Sequence, residues 1–158
     1  MAVDFSKFDE MMDQDLQDQV KNATEYTEVP DGDYIVTIDK MEIKLTKDGK
    51  KLMFAVQCDI KETSDGEPTQ HKGRKIFFNR VISGNRSSES WNDGRAIKSV
   101  ITWLDKLETD TVPEFVNYSD FAGLVLDIFQ EIQGNVELDV TYAAKDFNPI
   151  TINEVYDL

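Results

Sequence analysis

The chain has 158 residues, 40% of them hydrophobic and 30% charged, and its 17 Lys and Arg against 31 Asp and Glu give a formal charge of −14. That composition suits one domain with a real core and argues against global disorder. It excludes a membrane-spanning helix, which needs an apolar run of ~20 residues. The first residues lack the basic and apolar regions of a signal peptide, and a single cysteine (Cys58) with a single histidine (His71) makes neither an internal disulfide nor a soft-ligand zinc site. The expectation is a cytoplasmic protein with no metal and no cofactor.

The charge is unevenly placed. Residues 1–39 hold two bases and eleven acids, residues 40–106 fourteen bases and nine acids, and residues 107–158 one base and eleven acids, for net charges of −9, +5 and −10. A basic middle between acidic ends is either a local polyanion-binding face or a set of lysines on solvated strands.

Residues 1–28 read as an acidic N-terminal arm, flexible or a short amphipathic helix, because Phe5, Phe8, Met12, Leu16 and Val20 recur at helical spacing among acids. Asp13 and Asp15 hint at a calcium loop, but the sixth position is Asp18 rather than Gly, which rejects it. From Val29 to residue 158 the pattern predicts one domain. Tyr34, Val36 and Ile38 alternate, and after Asp39-Lys40 the apolar parity moves to Met41, Ile43 and Leu45. A side-chain period of two cannot change parity without an extra residue, so a bulge is predicted there. Asp48-Gly49 suits a hairpin turn. The return strand faces Leu52, Phe54, Val56, Cys58 and Ile60 to one side, so Cys58 reads as core. A third strand runs from Arg74 to Ile82.

A helix is expected to start near Trp91, with Ser90 and Asp93 as a capping box and Ile97, Val100, Ile101 and Leu104 as its apolar stripe. A second helix is expected after Ser119 as N-cap, stopping at Gly134. Two more strands follow, one through Val136–Tyr142 and one around Ile150 and Ile152. Mainly β with a helical insertion, this α+β order matches a five-stranded, OB-fold-like Greek-key barrel with two helices between strands 3 and 4. An SH3-like barrel or a small sandwich with helices are the competing architectures.

Catalytic groups do not converge in the sequence. No phosphate loop and no Gly-x-Ser-x-Gly occur, and His71 reads as a solvent-exposed loop histidine. The stronger constellation is Lys72, Arg74, Lys75, Phe77, Phe78, Asn79 and Arg80. Bases interleaved with aromatics suit single-stranded nucleic acid, where cations follow phosphates and rings stack on bases. Alternation puts Arg74, Ile76, Phe78 and Arg80 on one face and Lys75, Phe77, Asn79 and Val81 on the other. With the arginine face outward, Phe78 is the stacking ring and Phe77 is core; the alternative is that both rings pack in a two-sided core. Lys40, Lys44, Lys47, Lys50 and Lys51 lie on the first hairpin and its tip, and Arg86, Trp91, Arg95 and Lys98 surround the exit from the third strand. Trp91 is outside the apolar stripe, either exposed or capping the barrel end.

The stretch Glu28-Val29-Pro30-Asp31-Gly32-Asp33-Tyr34, then Thr46-Lys47-Asp48-Gly49 before a hydrophobic strand, then Gly73-Arg74-Lys75-Ile76 opening the next, resembles a family of small phage proteins over roughly residues 25–155. These are known mainly as a domain of unknown function from early replication and recombination regions of phages of Gram-positive bacteria. The resemblance implies an OB-like fold and single-stranded-DNA binding beside helicase, primase or recombinase partners, in the host cytoplasm. Bacterial single-strand binding proteins end in an acidic recruiting tip, whereas this chain ends Asn153-Glu154-Val155-Tyr156-Asp157-Leu158, so a recruiting peptide is expected in the N-terminal arm instead. The resulting expectation is a sequence-tolerant single-stranded-DNA-binding protein and not an enzyme. The rivals are an acidic DNA mimic that inhibits a host DNA-acting enzyme, and a protein-interaction module.

Overall fold

The strand β1 (Gly32–Leu45) is long and bent, and it forms the spine of the sheet. It pairs antiparallel with β2 (Leu52–Thr63), joined through a turn in which Gly49 N donates to Thr46 O at 2.8 Å and Gly49 takes φ 72°. That positive φ is why glycine follows Asp48 here. Ile38 lies opposite Cys58 and Lys40 opposite Gln57, which leaves Asp39 as the extra residue of a bulge, where the parity switch predicts it. Tyr34, Val36 and Ile38 before the bulge, and Met41 after it, are therefore all buried in one core.

The computed structural model describes residues 5–10, 13–22, 29–84 and 91–158. Its element order continues with β3 (Lys75–Val81), α3 (Asp93–Asp105), α4 (Tyr118–Ile132), β4 (Val136–Tyr142) and β5 (Ile150–Asp157), after two helices near the N-terminus, α1 (Ser6–Asp9) and α2 (Gln14–Asn22). Leu16 N donates to Asp13 Oδ1 at the start of α2, and Phe5, Leu16 and Val20 are exposed. The Phe8 side chain and Met12 of the predicted stripe lie outside the described residues.

All five strands are antiparallel in the order β3-β2-β1-β4-β5, and the sheet is not closed. The expected barrel would need a β3–β5 ladder. Side chains span that seam instead: Arg80 on β3 donates to Phe147 O, and Trp103 Nε1 on α3 donates to Ile150 O at 2.9 Å. Trp103 also packs with Phe54 and Phe78 in the core, ring centroids 5.6–5.9 Å apart across the three rings.

Both long helices begin on asparagine caps that pattern reading missed. Asn92 accepts from Arg95 N at 3.0 Å and Asn117 from Asp120 N at 2.8 Å. The second cap replaces the predicted Ser119, which is exposed within the first turn of α4. Ser90 of the predicted capping box is outside the described residues. Gly134, at φ 74°, follows α4 as predicted. Among the described residues, α3 and α4 pack on the face that carries the core cluster, and on the opposite face Lys40, Lys44 and Phe77 are exposed.

Candidate nucleic-acid interface

The open face is built by register. Lys40 on β1, Gln57 on β2 and Phe77 on β3 lie side by side in one row; Glu42, Ala55 and Asn79 form the next, and Lys44, Met53 and Val81 the third. Together the first two rows and Lys44 line a shallow trough of about 190 Å³. Phe77 is 49% exposed at its edge, and Lys40 and Lys44 are exposed on its rim. Gln57 and Asn79 add donors and acceptors beside the ring. Glu42 sits 3.7 Å from Lys40, so one rim cation is partly balanced.

Phe78 is thus not the stacking ring. It is 1% exposed and lies between Phe54 and Trp103 in the core. The face of β3 containing Ile76 and Phe78 turns inward because it must meet Val56 and Cys58 of β2, which are opposite them. This carries Arg80 inward too, at 6% exposure. Its Nη1 donates to Ser99 Oγ at 3.0 Å, and its Nη2 to Phe147 O at 2.6 Å and Asn148 Oδ1 at 2.9 Å. The guanidinium carbon lies 3.7 Å from the Phe147 ring centroid and 5.3 Å from that of Trp91. Burial pulls the Arg80 pKa down from its ordinary value, but it remains charged at neutral pH. Arg80 is a fastener of the fold, not a phosphate contact.

Lys75 is engaged as well. Its ammonium meets the bulge residue Asp39 and lies 3.5 Å from Asp59 Oδ1, and the hydrogen bond and charge of Asp39 raise its pKa. Asp59 Oδ1 is buried without a hydrogen-bond partner, so this ammonium is its main compensation.

The hairpin lysines Lys47, Lys50 and Lys51 are exposed at the tip. Asp48 organises that tip: it accepts from the Thr46 hydroxyl and from Lys50 N, which hold its carboxyl below the usual range. The stem of Lys51 lies beside Gly84, where a Cβ would meet its carbons at 3.4 Å, and Gly84 N donates to Asp93 Oδ2. The tip therefore abuts the exit of β3 and the start of α3. Lys72 is exposed and Arg74 half-buried in the turn before β3, at the opposite end of that strand. Arg95 and Lys98 are exposed on α3, across the sheet from the trough. Trp91 is half-buried with its ring 4.7 Å from Phe147, and Arg86 lies outside the described residues.

Lys40 and Lys44 thus line one trough, the tip lysines lie beyond it on the hairpin, and the exposed ring is Phe77 rather than the expected Phe78. Phe77 had a usable signal, polar Asn79 on one side and Lys75 on the other, but Arg80 misled because arginine was assumed to face water. Phe147, 60% exposed in the β4–β5 turn, had no periodic signal at all. His71, read as exposed, is 6% exposed. Cys58 is fully buried, and burial pushes its thiol pKa far up, so it is a core residue and not a nucleophile. Among the described residues no group of His, Cys, Asp or Glu is placed to hold a metal, and no helix is long and apolar enough to cross a membrane. No curated protein matches the chain. Residues 17–153 match a family described as proteins of unknown function, DUF669, and because that match spans most of the chain, the chain belongs to the DUF669 family.

Proposed function

We propose that this is a sequence-tolerant single-stranded-DNA-binding protein, not an enzyme, acting with replication or recombination proteins of a phage in the host cytoplasm. The observation that carries the reading is Phe77, a large ring left 49% exposed at the edge of a trough that it lines together with Lys40, Lys44, Gln57 and Asn79. Exposed rings beside cations suit bases and phosphates together. The lysines of the hairpin tip extend the cationic surface from one end of that trough. We read the open sheet as an OB-type barrel parted along one seam: its order β3-β2-β1-β4-β5 needs only a β3–β5 ladder to close, and two helices separate β3 from β4 in the chain.

Fluorescence anisotropy with labelled oligo-dT tests this reading. Phe77→Ala is expected to weaken binding about 5- to 150-fold, the equivalent of ~1–3 kcal/mol for one stacked base. Absence of binding at low salt overturns it.

A second reading has its own observation. On the other half of the same sheet face, Tyr156 lies in the field of Glu154, Asp139 and Glu137, and its hydroxyl donates to Glu154 Oε2 at 2.6 Å. A carboxylate row on β4 and β5 suits a cationic protein surface, as in an acidic inhibitor of a DNA-acting enzyme. Failure to bind DNA together with capture of such an enzyme through Glu137 and Glu154 selects this alternative.

A further inference from the structure

The β4–β5 turn presents an aromatic ring in an unusual state, exposed yet held. Phe147 is 60% exposed. Its turn is tied by Ala143 N to Pro149 O at 2.9 Å, by Asp146 N to Ala143 O at 3.0 Å, and by Ala144 N to Asp31 Oδ1 at 3.0 Å. The Phe147 carbonyl accepts from Arg80, and the Arg80 guanidinium carbon stands 3.7 Å from the ring centroid. The Trp91 ring abuts it at 89°. The ring covers the Arg80 guanidinium on one side and still presents more than half of its residue's surface to solvent.

Arg80 adds a second observation. It is 6% exposed, its hydrogen bonds go to neutral acceptors, and among the described residues it makes no ion pair. A buried cation without a carboxylate therefore backs the ring. It draws on the π density from behind and leaves the remaining surface suited to another planar, electron-rich ring. Lys145 in the same turn is exposed.

We infer that Phe147, braced by Arg80 and Trp91, is a second base-stacking platform that takes one nucleobase of a single strand, with Lys145 of the same turn available to its phosphate. This rests on the reading of the chain as a single-strand binder and adds a contact on the far side of the sheet. Phe77 and Arg80 are three residues apart on β3, which is an edge strand. The two positions are about 10 Å apart along β3, and a strand leaving Phe77 reaches Phe147 by rounding that edge.

The test compares oligo-dT binding of wild type, Phe147→Leu, Phe147→Trp and Phe77→Ala by anisotropy across a salt series, with a thermal melt of each. Leucine keeps the apolar cover over Arg80 but removes the π face, and tryptophan keeps both. The expected result is a loss of about 5- to 150-fold for Phe147→Leu, with an unchanged salt slope, and near-wild-type binding for Phe147→Trp. If Phe147→Leu binds like wild type while Phe77→Ala is weakened, the platform is overturned and the binding reading stands. Equal weakening in Phe147→Leu and Phe147→Trp overturns the platform in favour of a structural role for the turn. No binding by wild type overturns both.

Discussion

A guanidinium that is 6% exposed and hydrogen-bonded to a carbonyl, a carboxamide and a hydroxyl is held far from the water that would otherwise solvate it. Its removal leaves three polar groups near the sheet seam without their donor. Arg80→Met is expected to destabilise the fold by about 2–4 kcal/mol in urea denaturation. A change below about 1 kcal/mol shows that Arg80 does not fasten β3 to the β4–β5 turn. Lys75 works at the surface. Its folded-state pKa is raised by Asp39, so its ammonium stabilises the fold at every pH below the ordinary lysine value of about 10.4. That contribution is lost as pH rises through the raised folded value. Lys75→Met should cost about 1 kcal/mol at neutral pH, the scale of an exposed ion pair. It should also flatten the decline in stability above about pH 10.4, read from chemical melts along a pH series.

At the scale of elements, the bulge in β1 accommodates the extra residue Asp39 while both halves of the strand keep their apolar side chains on the core face. With Asp39 inserted, Ile38 and Met41 both face the core, and Lys40 and Glu42 both face the trough. Deleting Asp39 returns the strand to strict alternation. That alternation still puts Ile38 and Met41 on the core face and Lys40 and Glu42 on the trough face, so the deletion removes only the bulge itself and the carboxylate that meets Lys75. It is expected to keep the trough and to lower stability by about 1 kcal/mol, the scale of the exposed ion pair it breaks. A much larger loss in a thermal melt shows that the bulge itself, and not only the Asp39 carboxylate, holds β1 in place. The parity switch that marks this element is visible in the sequence because backbone geometry enforces it locally. The asparagine caps at Asn92 and Asn117 were less visible, since serine and asparagine both satisfy free helix N–H groups and neighbouring candidates compete.

Across the whole molecule, charge is divided between the two halves of one sheet face. Lysines stand over β1–β3, and Asp139, Glu137 and Glu154 stand over β4 and β5. Lys75 is paired with Asp39 and Arg80 is buried, so under the proposed single-strand-binding reading the phosphates fall to Lys40, Lys44 and the tip lysines. About four contacts on a single strand correspond to a salt slope near −3, at about −0.7 for each. A titration of oligo-dT affinity against salt should give that value, and a slope near zero shows that the lysines take no part. The carboxylate half of the face should exclude the strand from β4 and β5, so Glu137→Gln with Glu154→Gln is expected to tighten binding modestly at low salt.

The sequence by itself determined the strands and their turns, the bulge at Asp39, the two helices, the buried Cys58 and the basic middle of the chain, because each follows from periodicity, turn chemistry or composition along a short stretch. Tertiary structure alone decided which face of β3 turns inward, because only pairing with β2 sets Phe78 against the Phe54–Trp103 cluster and leaves Phe77 outside. It alone decided that the seam between β3 and β5 stays open, and that Arg80 spans it to brace Phe147, since those contacts join residues 67 and 68 positions apart that no local pattern links.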